Sequence, residues 1–227
     1  MGKKLFITGT GTDIGKTYVT ALIIKKLREN GFNGGYYKAA ISENHRDFNG
    51  NLIAEDPQFI KDIAHLNEDI ENMVSYTYEE AVSPHLASIK EGNPVEIEKV
   101  ITDFHNNLEK YDHLTMEGSG GIICPLRYDN KKIFLEDIIK TLEIPCVIVA
   151  NTTLGTINNT LLTISYMLSK NIEIKGIIFN NYNPHNHMER DNIKLIKELS
   201  GIEVLDCIKT DEKNLNVSIE KLISLYK

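Results

Sequence analysis

Two lysines, a threonine and two carboxylates stand where they could move a phosphoryl group. The stretch FITGTGTDIGKT, Phe6 to Thr17, closes on Lys16-Thr17. A nucleoside triphosphate asks for that pair, an ammonium for the β/γ charge and a hydroxyl for Mg²⁺. Gly9, Gly11 and Gly15 let the backbone bend and bring its N–H groups close to phosphate. The spacing is irregular: a strict G-x-x-x-x-G-K-[ST] loop would place its first glycine at Thr10, one residue after Gly9. A dinucleotide fingerprint, G-x-G-x-x-G, would place its third glycine at Ile14 instead of Gly15. Such a fold also needs an acid at the end of the second strand for the ribose, and there the chain carries Lys38. ATP-type binding is therefore the favoured reading.

Lys38, in GGYYKAAIS, is predicted to end the second strand, beside the first, at the edge where α/β ligands bind. From there it would face the γ-phosphate opposite Lys16, which suits a reaction governed by positioning and charge. Its plainer alternative is a strand-end lysine in solvent. Glu117 closes the strand HLTMEG and is followed by Gly118-Ser119-Gly120-Gly121, a turn that could pass close to ligand while the acid holds Mg²⁺. In AEDPQFIKDI, Asp56 is predicted to cap a helix with Pro57 in its first turn, a role compatible with metal binding.

Positioning these groups requires a sheet whose strands end together. Short apolar runs alternate with stretches of helical period, which predicts an α/β domain, P-loop NTPase-like, with a mainly parallel sheet flanked by helices. Strands are expected at Lys4 to Thr8, Gly34 to Ala40, His113 to Gly118, Cys146 to Asn151, Gly176 to Asn181 and Ile202 to Ile208. KTYVTALIIKKLRENG has helical spacing and stops at Gly31; Ser83-Pro84 marks a second helix start. Ile53 to Lys110 carries no convincing strand and reads as a mainly helical crossover. No repeat or linker divides the 227 residues, so one domain is expected.

Composition narrows the partners. The chain is 41% hydrophobic and 25% charged, with a formal net charge of −7, which argues against a nucleic-acid surface. Cys124, Cys146 and Cys207 lie far apart and support neither a disulfide framework nor a zinc site, as expected in a reducing cytosol. No signal-like or bilayer-spanning run is read, so a cytoplasmic location without membrane attachment is expected. His185 and His187 form an H-x-H pair without a well-spaced third ligand, and His45, His65 and His105 read as surface residues.

Taken in order, FITGTGTDIGKT, GYYKAAIS, SPHLAS, MEGSGG, LGTINNT and GIIFNN resemble the dethiobiotin synthetase family, across Phe6 to about Asn181. That family shares the early glycine. The resemblance implies an ATP-dependent cyclo-ligase that takes 7,8-diaminononanoate, CO₂ (bicarbonate in solution) and MgATP. A substrate amine captures CO₂ as a carbamate, ATP phosphorylates it, and the neighbouring amine closes a urea ring, releasing ADP and phosphate. It implies that Asp13, Ile14, Gly15, Lys16 and Thr17 hold the triphosphate, with Asp13 where the family has Glu. Thr17, Asp56 and Glu117 would hold Mg²⁺, and Lys38 would be the active-site lysine; Glu55 remains an alternative to Asp56. Thr12 and Ser42 would approach the diamine and carbamate, with Gly118, Ser119, Gly120 and Gly121 near phosphate or substrate. Gly155, Thr156 and Asn158 would hold the substrate carboxylate across a homodimer interface, and Asn180 or Asn181 would read adenine.

Three departures are visible: Ala39 replaces a common proline, Ile208-Lys209 replaces a nucleotide-contact Ile-Pro, and HMERDN lacks an expected tyrosine. The rival readings are a related ATP-dependent amide-forming ligase with another substrate, and a switch ATPase of the partition or cell-division kind. Those proteins usually add a lysine early in the loop, where this chain has Thr10, Gly11 and Thr12. The terminal NVSIEKLISLYK is expected to be a docking helix.

Overall fold

The computed structural model describes residues 2–227. In chain order it runs β1 (Lys3–Gly9), α1 (Lys16–Glu29), β2 (Gly34–Ile41), a short hairpin of β3 (His45–Arg46) and β4 (Leu52–Ile53), then α2 (Glu55–Ala64). There follow α3 (Ile70–Met73), β5 (Val74–Thr77), α4 (Pro84–Lys90), α5 (Ile97–Leu108) and β6 (His113–Glu117). A second hairpin, β7 (Pro125–Tyr128) and β8 (Lys132–Phe134), leads to α6 (Leu135–Thr141) and β9 (Cys146–Asn151). The chain ends with α7 (Thr156–Ser169), β10 (Ile174–Tyr182), α8 (His187–Ser200), β11 (Val204–Lys209) and α9 (Ile219–Ser224).

Among the described residues seven strands form one sheet in the order β11-β10-β9-β1-β6-β2-β5, every neighbouring pair parallel. Alternation along β1 shows why both faces are covered. Leu5 and Ile7 share a core with Val19, Leu22 and Ile23 of α1, and with Leu222 of α9. Phe6 belongs to the opposite core, with Phe104 of α5, Ile138 of α6 and Met167 of α7. The terminal helix docks as expected: Leu225 and Tyr226 are buried, and the Tyr226 hydroxyl meets Thr115 Oγ1 at 2.6 Å. Gly31, at φ +82°, follows the Asn30 C-cap and ends α1 at the expected place.

Several local expectations are corrected. β2 does not lie beside β1, because β6 enters between them, and Lys38 does not end its strand, which continues to Ile41. The crossover is not strand-free: Val74–Thr77 pairs with β2 and forms the sheet edge. Only four residues long, VSYT carries too short an alternation to stand out between two helices, and it is a strand because β2 offers it an edge. Asp56 is not the cap of α2; Ala54 holds that position, and the Glu55 N–H is met at 3.1 Å by the side-chain oxygen of buried Asn44. Ser83 does occupy the cap position before Pro84, but its hydroxyl meets His85 Nδ1 at 2.9 Å rather than a helix N–H.

The chain goes from β1 to one side of the sheet, returns through β6, and then builds the other side through β9, β10 and β11. β1 is thus the switch point, the place on an open α/β sheet where a crevice opens beyond the strand ends.

Candidate active site

The loop after β1 accounts for its own irregular glycines. A Cβ at residue 9 would lie 2.3 Å from Ile14 Cδ1 and 3.0 Å from Lys16 Cδ, so Gly9 is the point where these two side chains fold back across the backbone. Gly15 is constrained twice. Its φ is +85°, and a Cβ there would fall 2.0 Å from Asn180 Nδ2, which donates to the Ile14 carbonyl at 3.1 Å. Lys16 Nζ donates to the Gly11 carbonyl at 2.8 Å, closing the loop over its own lysine. The first turn of α1 has no side-chain cap and no acid. Its leading N–H groups and the positive end of its dipole therefore face the cleft as an anion site.

Lys38 stands directly opposite Glu117 in the β2–β6 register. Its Nζ donates to Glu117 Oε1 at 2.8 Å and to Asp56 Oδ2. Thr17 Oγ1 donates to the same Glu117 oxygen at 2.9 Å, and Tyr36 OH to Oε2 at 3.1 Å. Glu117 is 1% exposed and Lys38 4%, so this is a buried ion cluster and not a solvated strand end. Burial opposes the Lys38 charge, but Glu117 and Asp56 outweigh it and hold the ammonium above its ordinary pKa. For Asp56, burial opposes the charge while Lys38, Thr17 and Lys16 favour it, and its carboxyl lies below the usual range. Lys16 is lowered by burial first and by repulsion from Lys38 second, with Glu117 and Asp56 pulling the other way. Two ammonium groups thus flank one cleft, balanced by two carboxylates.

That cleft has a volume of about 610 Å³ and is lined by Thr12, Asp13, Gly15, Lys16, Thr17, Lys38, Ser42, Asp56, Glu117, Ser119 and Gly120, all expected at the site. Gly118 lies just behind it, its N–H donating to the Ile7 carbonyl at 2.9 Å, and Gly121 sits against Gly9 and Gly11. Ile14 is buried beneath the loop. The two neighbours at α2 both border the cleft but face differently: Asp56 reaches Lys38, whereas Glu55 meets His45 Nδ1 at 2.6 Å. Asn180 is buried as a brace for the loop, with its Oδ1 unpartnered among the described residues, and Asn181 is exposed at φ +57°. Neither lines the cleft. Gly155, Thr156 and Asn158 open α7, outside the cleft lining; Thr156 Oγ1 donates to the Asn151 carbonyl at 2.5 Å, while Gly155 and Asn158 are exposed.

Sequence reasoning passed over Tyr36, Asn44 and Cys124. The signal for Tyr36 was its place two residues before Lys38, on the same face of a strand. Cys124 is buried close to both lysines; burial pushes its thiol up to about 11, against the pull of Lys16 and Lys38.

Two carboxylates and a hydroxyl supply hard oxygens around a point already holding a cation, the Lys38 ammonium. Mg²⁺ takes one or two protein carboxylates with phosphate oxygens and waters completing its shell, so the donor set fits.

The chain matches known proteins along nearly its whole length. A family model described as an AAA domain matches residues 3–216. The ATP-dependent dethiobiotin synthetase BioD of Clostridium botulinum (strain Loch Maree / Type A3) is 48% identical over 227 residues, covering 100% of this chain and 99% of its own. That of Brachyspira hyodysenteriae is 48% identical over 226 residues, covering 97% and 100%. The chain belongs to the dethiobiotin synthetase family. It is accordingly an ATP-dependent ligase that forms a carbon–nitrogen bond and serves biotin biosynthesis. Among solved structures, a ParA family ATPase from Chlorobium tepidum matches with a TM-score of 0.58 at 16% identity, covering 99% of this chain and 90% of that one. MinD from Aquifex aeolicus matches at 0.55 and 18%, covering 96% and 89%. At such identities the likeness is one of fold alone, a P-loop architecture that this chain shares with both. Among the described residues no helix is long and apolar enough to cross a membrane.

Proposed function

We propose that the protein carboxylates and cyclises 7,8-diaminononanoate to dethiobiotin, with CO₂ and MgATP as co-substrates, in the cytoplasm. The observation that carries this reading is the Lys38 ammonium held between Glu117 and Asp56 at the mouth of a lysine-closed phosphate loop. The rival ATPases add their second lysine early in the loop, where this chain has Thr10, Gly11 and Thr12; here it comes from β2. A second buried lysine suits a reaction in which an acyl phosphate forms and its phosphate then leaves.

Binding comes first. Lys16, the loop backbone from Asp13 to Gly15 and the first N–H groups of α1 take the triphosphate, and Asn180 or Asn181 meets adenine. Thr17, Asp56 and Glu117 would hold Mg²⁺, which supplies charge neutralisation on the β- and γ-phosphates when bound. Thr12 and Ser42 contact the amine end of the substrate, with Gly118 to Gly121 forming the wall. Gly155, Thr156 and Asn158 receive the substrate carboxylate from a second copy in a homodimer.

The chemistry then has three bond changes. One substrate amine adds to CO₂, forming a carbamate and losing a proton. A carbamate oxygen attacks the γ-phosphorus, the bond to ADP breaks, and a carbamic–phosphoric anhydride forms. The neighbouring amine attacks the anhydride carbonyl and loses a proton, the carbonyl C–O bond to phosphate breaks, and the second N–C bond closes the five-membered urea. Lys38 offsets negative charge first on the carbamate and then on the transferred group.

The test is phosphate release from ATP, Mg²⁺ and bicarbonate with and without the diamine. Release that requires the diamine, gives dethiobiotin by mass and vanishes in Lys16→Ala and Lys38→Ala is the expected result. ATP turnover indifferent to the diamine would remove the assigned substrate and leave an ATPase or a ligase for another amine.

A further inference from the structure

Tyr36 is wholly buried, on the face of β2 that packs against Ile24 of α1 and Ile60 of α2. A ring that only filled this space could be phenylalanine. A buried phenol needs a partner for its O–H, and this one has it at the functional cluster, donating to Glu117 Oε2 at 3.1 Å. Burial first, and the Glu117 and Asp56 charges next, hold the phenol well above its ordinary pKa, which keeps the proton on it.

The consequence for Glu117 is geometric. A carboxylate's last torsion is broad and roughly two-fold, so nothing in the side chain itself says which oxygen faces the cleft. Here Oε2 is tied by Tyr36, and Oε1 is the atom that receives both Thr17 at 2.9 Å and Lys38 at 2.8 Å. One oxygen is anchored to the sheet and the other is presented.

We propose that Tyr36 is a positioning residue for the metal site: its hydroxyl pins Glu117 Oε2 so that Oε1 is presented with Thr17 to the divalent cation. The inference rests on the reading of Glu117 as a metal ligand. Tyr36 touches neither metal nor substrate, and acts through the carboxylate. Without the hydroxyl, a buried carboxylate oxygen loses its donor and Glu117 is held through Oε1 alone.

The next residue supplies a matched control. Tyr37 is also wholly buried, but on the opposite face of β2, where its hydroxyl meets Ser75 Oγ at 2.6 Å and donates to the Val100 carbonyl at 3.0 Å. Tyr36→Phe and Tyr37→Phe each delete one buried phenol O–H from adjacent residues, and only the first lies at the cluster.

The experiment titrates Mn²⁺ into the full chain with saturating ADP by calorimetry, for wild type, Tyr36→Phe, Tyr37→Phe and Glu117→Gln, with melting temperatures alongside. Tyr36→Phe is expected to raise the Mn²⁺ Kd roughly ten-fold, the scale of one hydrogen bond to a charged group. Its ADP affinity without metal should stay within about two-fold of wild type. In turnover, half-saturation by Mg²⁺ rises while kcat at saturating metal is retained. Tyr37→Phe should lower the melting temperature without moving the Mn²⁺ Kd. An unchanged Mn²⁺ Kd in Tyr36→Phe, with Glu117→Gln having lost the metal, overturns the positioning role and leaves the metal site standing. Equal weakening by both tyrosine variants overturns it too, by assigning the effect to general loosening. Mn²⁺ binding that survives Glu117→Gln removes the ligand reading itself, and the proposal with it.

Discussion

Replacing Lys38 by methionine should both destabilise the free protein and create a place for a cation. The substitution keeps the length of the stem and removes the charge. Glu117, whose side chain is fully buried, and Asp56, 29% exposed at its side chain, are then left facing each other without the ammonium between them. Removing one partner of a buried ion pair costs about 3–5 kcal/mol. Glu117 keeps Thr17 and Tyr36 as donors and Asp56 keeps some water, so the lower end, about 3 kcal/mol, is expected. For a chain of this size that corresponds to a fall in Tm of roughly 6–12 °C. Denaturation curves without nucleotide measure it directly. Two companions make the result specific. Mn²⁺ should restore stability in Lys38→Met more than in wild type, because the ion takes the place the ammonium held. In the double variant with Glu117→Gln, the loss should be smaller than the sum of the two single losses, since the second change removes the repulsion exposed by the first. A variant within about 1 kcal/mol of wild type and indifferent to Mn²⁺ would refute the reasoning, because the carboxylates would then not depend on Lys38 for compensation.

Gly9→Ala should lose about 1–3 kcal/mol and weaken ATP binding, because the new methyl meets Ile14 and the Lys16 stem, whereas Gly11→Ala, with nothing within 4 Å of its Cβ, should be neutral for stability; urea midpoints separate the two. Asp56→Asn should abolish turnover at ordinary Mg²⁺ while Glu55→Gln keeps it, since only Asp56 reaches Lys38; comparable losses in steady-state assays would show that both acids serve the site. His113 is buried with both ring nitrogens unpartnered among the described residues, and burial, then Lys3, lowers its pKa. Its contribution to stability is therefore fully present above the unfolded value near 6.5 and lost as pH falls through that value toward the folded one, because the unfolded chain gains the proton first. His113→Phe, which keeps the edge contacts with Phe32 and Tyr226, should flatten unfolding free energy between about pH 7 and 5.

Much of this arrangement was legible from residue types in order. Continuous apolar runs such as CVIVA and GIIF suit strands covered on both faces, and six of the seven sheet strands were expected from short apolar runs alternating with helical stretches. Gly15-Lys16-Thr17 marked where phosphate would sit, because glycine, ammonium and hydroxyl at that spacing answer local chemical needs. Glu117 and Lys38 were visible as charged residues at the expected ends of their strands, on the edge where ligands bind. What the sequence did not contain was the strand order. Register and neighbour choice depend on which edges meet, and β6 inserting between β1 and β2 is what sets Lys38 opposite Glu117 instead of beside the loop. The same holds for β5, a strand only because an edge was open to it, and for Asp56, freed from capping by Asn44 and turned toward Lys38. Local chemistry is written along the chain, but the pairing of charges across it is decided by packing, since only the folded sheet sets the few ångströms over which buried charges compensate one another.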